Sequence, residues 1–200
     1  MSSEKRMYTL RARARRQAET RERIVTATSE LHREVGPART TVAEIARRAG
    51  VQRLTVYNNF PDERELFAAC SAHWLARNPV PDPSPAFEFS DPSKTLGAVL
   101  RGLYAYYRKT EAMAFNIQRD RLVLPALDAV VTAGADAQLA ALADALTAGF
   151  KPSARGREGV HATVALALDF WTWRRIKEEG LSDDSSADLM ADSVRAAAGG

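Results

Sequence analysis

Residues 41–60 read TVAEIARRAGVQRLTVYNNF, and this stretch decides the fold. The spacing of its apolar residues predicts two short helices joined by a tight turn at Gly50. Thr41 and Glu44 fit a capping box, in which the threonine oxygen accepts a backbone N–H and the glutamate reaches back to the threonine amide. The side chains expected to face the core are Ile45, Val51, Val56 and Phe60.

The second of these helices carries a polar surface that suits DNA. An α-helix fits the major groove, where its N-terminal residues reach the base edges. Arginine can bind guanine through two hydrogen bonds, and asparagine or glutamine can bind adenine in the same way. The residues predicted to lie at or near the groove are Gln52, Arg53, Leu54, Thr55, Asn58 and Asn59.

A family resemblance extends beyond this motif. A helix that ends near Gly36 precedes a characteristic set of residues: Thr41, Ile45, Ala46, Ala49, Gly50, Val51, Thr55, Tyr57, Phe60 and Pro61. With this pattern, residues 18–70 resemble the DNA-binding domain of the TetR family of transcriptional regulators. The resemblance implies that Thr41 and Tyr57 contact the DNA backbone. It also implies a homodimer whose C-terminal domain binds a small molecule.

The sequence departs from the family pattern at several positions. The family often has Ser where Gln52 stands and Gly where Leu54 stands. A second aromatic residue or a His is common where Asn58 and Asn59 stand. A lysine that contacts phosphate is common where Glu63 stands. Because a carboxylate repels a phosphate, this contact is not carried over, and either Arg64 replaces it or the contact is absent. These changes affect which operator is bound and not the fold.

Charge is distributed unevenly along the chain, whose net charge is +3. Residues 1–60 carry 13 Lys and Arg against 6 Asp and Glu, whereas the remainder carries 15 against 19. A basic N-terminal third predicts that this end meets a polyanion, the alternative being an incidental basic tail. Residues 1–17 form an arginine-rich arm, which either binds DNA or stays solvated.

Composition and motifs exclude several classes of protein. The sequence has no run of eighteen apolar residues and no N-terminal apolar region, which predicts neither a transmembrane helix nor a secretory signal. Its one cysteine, Cys70, rules out an intrachain disulfide, and its three histidines are too far apart for a metal site. The motifs GxSxG, GxGxxG, HExxH and the P-loop are missing. We therefore expect a cytoplasmic protein that is not an enzyme and has no cofactor or metal.

The organisation of the chain follows from its helical periodicity and its prolines. Helical spacing without sustained strand alternation predicts an all-α chain of about nine helices. Residues 18–78 are predicted to form the DNA-binding domain, with a helix-turn-helix motif at 41–60. Five of the nine prolines fall in residues 79–92, so residues 79–93 are predicted to be an extended connector. Residues 94–200 are predicted to be helical, and the resemblance implies that they form the ligand-binding and dimerisation domain.

Two groups of residues in the C-terminal domain are candidate binding surfaces. A helix over about 156–179 is apolar around most of its circumference, so it must be covered on both sides, and the resemblance assigns this region to dimerisation. The candidate interface residues are Val164, Leu166, Leu168 and Trp171. Aromatic residues at helical spacing form either a core or the lining of a ligand cavity. The candidate lining residues are Tyr104, Tyr107, Phe115 and Phe170.

Several smaller expectations concern local structure. Phe87 and Phe89 are expected to anchor the connector, and a separate helix is expected over about 111–120. Residues 119–121, which read Arg-Asp-Arg, either form ion pairs or orient the polar end of a ligand. Asp169 has no basic residue three or four positions away, so a partner is expected from another helix or chain if it is buried.

Together these patterns predict a homodimeric, ligand-responsive transcriptional regulator. We expect a repressor that an unknown small-molecule effector releases from a pseudo-palindromic operator in double-stranded DNA, with recognition helices ~34–36 Å apart. The alternative is a helix-turn-helix protein whose C-terminal domain only dimerises or binds a protein partner. A small molecule that raises the Tm of the protein would favour the first prediction, because a specific ligand stabilises the folded state. No membrane partner is expected.

Overall fold

The computed structural model describes residues 2–199, except for the side chains of residues 2–6 and 9. Over the described residues the chain forms nine α-helices and no strand, so the predicted all-α class is confirmed. The helices are α1 Ser2–Glu34, α2 Val42–Ala49, α3 Arg53–Asn59, α4 Glu63–Arg77, α5 Pro92–Asp120, α6 Pro125–Gly149, α7 Arg157–Leu168, α8 Phe170–Glu178 and α9 Asp183–Gly199.

Two compact units make up the chain. Unit 1 runs to Asn78 and also includes Phe115–Val130, which cover the last turns of α5 and the start of α6. Unit 2 consists of Pro79–Ala114 and the residues from Val131 onward. The sequence assigned residues 115–130 to the C-terminal domain. They join unit 1 because side chains at the end of α5 hydrogen-bond to backbone 82 to 84 positions earlier, a contact that local periodicity does not reveal.

The core of unit 1 is built from one face of each of its first four helices. Ile24 and Leu31 of α1, Ile45 of α2, Val56 of α3 and Leu66 of α4 are buried in a single hydrophobic cluster. Apolar residues three or four positions apart lie on one face of a helix, which is why this spacing builds a core. Within unit 1, α1 packs against α2 and α4, and α2 packs against α3.

α1 is one continuous helix that begins at Ser2. The sequence predicted an arginine-rich arm over residues 1–17 and a helix that ends near Gly36, and over the described residues the two form a single element. Residues 2–34 contain no glycine or proline, and alanine and arginine in the arm favour helix. The helix ends where Gly36 adopts a φ of 94°, a conformation that L side chains rarely take. The side chain of Arg6 in the arm lies outside the described residues.

α2 is capped at its N-terminus by Thr41, whose hydroxyl oxygen accepts a hydrogen bond from the Glu44 amide at 3.2 Å. This is only half of the predicted capping box. The Glu44 carboxylate does not bond to the threonine amide but accepts hydrogen bonds from the Arg47 guanidinium at 2.6 and 3.0 Å. A charged donor one turn away forms a stronger hydrogen bond than a neutral amide does.

The connector and α5 differ from the predictions in two respects. α5 is a single helix of 29 residues, so the separate helix predicted over 111–120 is wrong, because no helix-breaking residue interrupts this part of the sequence. The connector before it contains a 3₁₀ turn at Ser84–Glu88. Phe87 and Phe89 are 43% and 50% exposed, so they do not anchor the connector as predicted, whereas Ala86 is buried.

α6 contains a π-turn at Thr132–Asp136, which includes Gly134. By length and composition Pro125–Gly149 could cross a membrane, although the sequence predicted no such segment. Core helices of other proteins meet the same two criteria. Length and composition are therefore weak evidence for insertion.

α7 and α8 are separated by a single residue, Asp169, where the sequence predicted one helix over about 156–179. The Asp169 carboxylate accepts a hydrogen bond from the Thr172 amide at 2.8 Å and so caps the N-terminus of α8. Asp169 is half-buried, so the condition under which a partner from another helix or chain was expected is not met, and the carboxylate bonds to the first turn of its own helix. Aspartate commonly competes for backbone donors in this way and ends helices that periodicity alone would continue.

Two potentially reactive side chains are buried in unit 1. Cys70 of α4 donates a weak hydrogen bond to the Val25 carbonyl at 3.8 Å, and burial raises the pKa of its thiol to about 12. His32 of α1 lies 5.6 Å from the Phe67 ring, between centroids, and burial lowers its pKa to about 4 even though nearby Asp120 acts to raise it. Both groups are therefore neutral near pH 7. The described residues form no cluster of three metal-ligating side chains.

Candidate nucleic-acid interface

The turn between α2 and α3 fixes the position of α3. Gly50 adopts φ 65° and ψ 41°, the left-handed region that glycine enters without a steric penalty. The Val51 amide then donates to the Ala46 carbonyl at 2.9 Å, which closes the end of α2. Ala46 and Ala49 are both buried in the core of unit 1, and α2 packs against α3. Val56 anchors the inner face of α3 in the core of unit 1.

α3 exposes most of the side chains that were predicted to lie at a groove. Leu54 is 65% exposed and Tyr57 is 55% exposed. Over the described part of the chain Arg53 has no ion-pair partner, so its guanidinium can bind a phosphate or a guanine. Thr55 is half-buried. The exposed residues of this surface are Gln52, Arg53, Leu54, Tyr57 and Asn58.

Asn59 uses its polar groups inside the protein. Its Nδ2 donates to the Thr55 carbonyl at 2.7 Å, one turn earlier in α3. Its backbone carbonyl accepts a hydrogen bond from the Arg21 guanidinium, which also lies over the Phe60 ring with 3.9 Å between Cζ and the ring centroid. Arg21 therefore holds the C-terminal end of α3 against α1, a role that the sequence did not reveal. A base contact by Asn59 stays a prediction.

Other residues that were predicted to contact the DNA backbone lie at the starts of helices. Thr41 is exposed at the start of α2, where its oxygen caps the helix and its hydroxyl hydrogen can still be donated. Asp62 caps α4 by accepting from the Arg64 amide at 2.9 Å. Glu63 and Arg64 both follow this cap and both are exposed. The first turn of α4 therefore presents a carboxylate and a guanidinium side by side, and phosphate binding by Arg64 stays a prediction.

The end of α5 is attached to the end of α1 by a side-chain amide within unit 1. Asn116 is buried, and its Nδ2 donates to the carbonyls of His32 and Arg33 at 3.0 and 2.9 Å. The last carbonyls of a helix have no partner within the helix, so a side-chain donor that reaches them stabilises the helix end. Sequence reasoning missed this contact because asparagine in the middle of a helical pattern gives no signal of a distant partner.

Asp120 forms a second attachment next to the first. Its carboxylate accepts hydrogen bonds from the Ala38 amide at 2.9 Å and from Arg119 at 2.6 Å. Burial alone would raise the pKa of Asp120, but the hydrogen bonds from Arg119 and Ala38 outweigh burial and hold the pKa below its usual value. Arg121 pairs with Asp128 at 2.7 Å. Residues 119–121 thus form the ion pairs that were one of the two predictions for them.

Gly36 has no room for a side chain beside this second attachment. A Cβ atom there would lie 2.2 Å from Arg119 Nη2 and 2.4 Å from Asp120 Oδ2. Its φ of 94° also disfavours any L residue. Gly36 is therefore required both for the conformation of the chain between α1 and α2 and for the close approach of the Asp120 carboxylate.

The candidate ligand-lining aromatic residues do not form a single set. Phe115 belongs to unit 1, whereas Tyr104, Tyr107 and Phe170 are buried in unit 2. The two tyrosine hydroxyls donate to the carbonyls of Ala167 and Leu168, each at 2.8 Å, and so satisfy the backbone at the end of α7. The rings of Tyr107 and Phe170 pack edge to face with 5.5 Å between centroids. Ligand binding by these residues stays a prediction.

The candidate dimer residues separate into two groups by burial. Val164 and Leu168 are at most 2% exposed and pack inside unit 2, so they cannot contact a second chain as predicted. Leu166 and Trp171 are 58% and 41% exposed. The sequence could not separate the two groups, because an apolar residue on any face of this helix fits a buried helix equally well. Leu189 of α9 is a further exposed apolar residue in the same unit.

Comparison with known proteins identifies the N-terminal region. Residues 24–70 match the family described as "Bacterial regulatory proteins, tetR family", which confirms the predicted resemblance. An uncharacterized HTH-type transcriptional regulator of Mycobacterium tuberculosis is 47% identical over 59 residues, which make up 30% of this chain and 31% of the relative. The chain thus matches less than a third of the length of this curated relative.

Solved structures resemble the chain over most of its length. A TetR-like transcriptional regulator from Rhodococcus sp. RHA1 has a TM-score of 0.62 at 20% identity and covers 88% of this chain and 93% of its own. NalD of Pseudomonas aeruginosa, the secondary repressor of the MexAB-OprM multidrug efflux pump, has a TM-score of 0.56 at 20% identity. The match covers 90% of this chain and 95% of NalD. RolR in complex with resorcinol has a TM-score of 0.52 at 18% identity, and the match covers 92% of this chain and 95% of RolR. At such identities these similarities establish the fold alone.

Proposed function

We propose, on the premise that residues 24–70 form a tetR-family helix-turn-helix domain, that the chain is a DNA-binding transcriptional repressor. The observation that carries the proposal is the surface of α3, where Arg53, Tyr57 and Asn58 are exposed while Val56 on the opposite face is buried. The Tyr57 hydroxyl binds a phosphate, and Arg53 and Asn58 bind bases. Phosphate contacts position a protein on DNA, whereas base contacts specify the sequence.

Substitutions at Tyr57 and Arg53 are expected to weaken DNA binding in different ways. Tyr57→Phe removes a phosphate contact, so affinity for the operator and for a scrambled duplex falls by similar factors. Arg53→Ala removes a bidentate contact to guanine, so the free energy of operator binding weakens by about 1–3 kcal/mol. The preference for guanine at that base pair should also relax. The measurement is fluorescence anisotropy on an operator recovered by selection from random DNA and on its scrambled version, at two salt concentrations.

The matched control for this pair is Arg155→Ala, which removes an exposed arginine from unit 2 and should leave both affinities unchanged. If Arg53 instead binds a phosphate, its loss reduces the salt dependence of binding and leaves the preferred sequence the same. Wild-type affinity in both the Tyr57 and the Arg53 variant would show that α3 is not the recognition helix.

We further propose that the repressor acts in the cytoplasm as a homodimer through the exposed apolar residues of α7 and α8. Leu166→Glu and Trp171→Glu each place a charge in an apolar contact without a partner for it, so both variants should sediment as monomers. Analytical ultracentrifugation at micromolar concentration measures this result. Two symmetric copies would bring two recognition helices to the half-sites of a pseudo-palindromic operator.

Leu122→Glu serves as the control for the dimer prediction, because Leu122 is 83% exposed and belongs to unit 1. The same change of an apolar to an acidic residue should leave its sedimentation coefficient that of the wild type. A normal dimer from both unit 2 variants would assign the interface to another surface.

The effector is proposed to bind unit 2 near Tyr104, Tyr107 and Phe170. The resorcinol complex of a protein with the same fold supports a small aromatic ligand as the first compound to test. A ligand that binds the folded state raises the Tm by mass action, by an amount that grows with its concentration. Thermal unfolding with a series of phenols measures this effect, and release from the selected operator at the same concentrations measures the coupling to DNA binding. If no compound in the series changes the Tm or the DNA affinity, the result would favour the alternative that the C-terminal domain only dimerises or binds a protein.

A further inference from the structure

The helical arm that precedes the core of unit 1 contributes none of its described side chains to the hydrophobic core. Every side chain described from residue 7 to residue 19 is exposed except that of Ala12, which is half-buried, and the first α1 residue in the hydrophobic core is Ile24. At 1.5 Å per residue, the thirteen steps from Tyr8 to Arg21 span about 20 Å along the helix axis. The fold alone therefore gives no reason for a helix of this length.

The arm is densely basic and repels itself. Arg11, Arg13, Arg15 and Arg16 fall within six positions, and Arg15 pairs with Glu19 at 2.8 Å in an exposed i,i+4 ion pair. Over the described residues the other three arginines have no ion-pair partner. Arg11 and Arg15 are four residues apart and Arg13 and Arg16 are three apart, spacings at which like charges destabilise a helix. A polyanion would remove this repulsion.

The part of α1 that directly follows the arm contacts α3. Arg21 donates to the Asn59 carbonyl and stacks on Phe60, so the residue from which the arm extends contacts the C-terminal end of α3. Along the helix axis Arg16 lies about 8 Å from Arg21 and Arg11 lies about 15 Å from it. A duplex bound by α3 therefore has phosphates within reach of the arm, since neighbouring phosphates of one strand follow the helix axis at about 3.4 Å.

The arrangement of the arginines selects phosphates over base edges. At 100° per residue, Arg11 and Arg15 lie on one side of the helix and Arg13 lies on the other. A helix with cations on opposite sides can contact the two strands that border a groove. Arginine binds phosphate oxygens without reading the sequence.

We propose that residues 8–16 form a second DNA-binding element, which binds the phosphates that flank the operator half-site contacted by α3. This inference rests on the proposed DNA-binding function and adds a second, sequence-independent contact region to it. The arm increases the affinity and the salt dependence of binding, and it leaves the preferred sequence unchanged.

The test measures binding of full-length proteins to two DNA duplexes that contain an operator selected with the wild type. The short duplex contains the operator alone, and the extended duplex has ten further base pairs on each side. In the test variant Arg11, Arg13, Arg15 and Arg16 are replaced by glutamine, which preserves helix propensity. On the extended duplex, the slope of log K against log salt should fall by about 0.9 for each arginine that binds a phosphate. On the short duplex, the variant and the wild type should bind alike.

Two further variants make the result specific. Lysine at the same four positions retains the charge and should bind both duplexes as the wild type does. The matched charge control replaces four exposed basic residues of unit 2 with glutamine, namely Lys94, Lys109, Arg155 and Arg157, and should also bind as the wild type does. The inference is overturned if the arm variant binds the extended duplex with the same affinity as this control and with the same slope of log K against log salt. Failure of the wild type to bind any duplex overturns the proposed function itself.

Discussion

Replacement of Trp173 by alanine is expected to reduce the free energy of unfolding by about 3–5 kcal/mol, the usual cost of emptying a large aromatic site in a core. Trp173 is the largest side chain in the chain that is fully buried. Its ring packs 5.7 Å from Tyr107 and 5.6 Å from Phe170, between centroids, and its indole N–H donates to Asp183 at 3.0 Å. Alanine removes the ring contacts and leaves the carboxylate with one donor fewer.

The neighbouring Trp171 is the matched control, because it is 41% exposed and its replacement by alanine leaves no closed cavity. Urea unfolding of both variants, followed by circular dichroism, measures the difference. Trp173→Phe separates the two contributions, since it keeps an aromatic ring and loses the hydrogen bond to a charged group, at a cost of about 1–3 kcal/mol. Equal destabilisation by the two alanine variants would contradict the central role of Trp173 in unit 2.

Replacement of Asp120 by alanine is the second large effect that we expect, with a loss of about 2–3 kcal/mol of unfolding free energy. The substitution leaves the Ala38 amide without its acceptor and removes the carboxylate from Arg119. The Arg119 side chain is 33% exposed and water can replace part of its interaction, so this value is below that of a fully buried pair. Asp128→Ala breaks a more exposed ion pair of the same unit, that with Arg121, and should cost only about 0–1 kcal/mol.

The contribution of Asp120 should also depend on pH, and the direction follows from its lowered pKa. A carboxyl group whose pKa is lower in the folded state stabilises the protein above its unfolded-state pKa. That stabilisation is lost as the pH falls through the lower, folded-state value. Between pH 7 and pH 3 the stability of the wild type should therefore decline more steeply than that of Asp120→Asn. Parallel pH profiles would show that folding does not lower the pKa of Asp120.

The helix-turn-helix motif could be predicted from sequence because its determinants are local. The Thr41 cap, the left-handed Gly50 and the buried Val56 each act within a few residues, so spacing and residue type specify them. The exposed surface of α3 follows from the same periodicity, since fixing the buried face also fixes the opposite one. Of the six groove residues predicted from spacing, four are exposed, namely Gln52, Arg53, Leu54 and Asn58, whereas Thr55 and Asn59 are half-buried.

Three of the errors involve contacts with residues that are distant in sequence. Asn116 and Asp120 bond to backbone more than eighty positions away, so their role in unit 1 has no local signature. The break at Asp169 is supported by tyrosine hydroxyls from α5, and periodicity alone favours a continuous helix there. Leu168 and Leu166 are both apolar, and only the packing of α7 determines that the first is buried and the second is exposed.

The burial of Cys70 makes site-specific labelling possible without first removing the native cysteine. Thiolate is the species that reacts with maleimides, and a thiol with a pKa of about 12 supplies almost none at neutral pH. A cysteine introduced at Gln17, which is exposed on the arm, would therefore react selectively. A fluorophore attached there would report, by energy transfer to a dye at the end of a duplex, how close the arm comes to DNA.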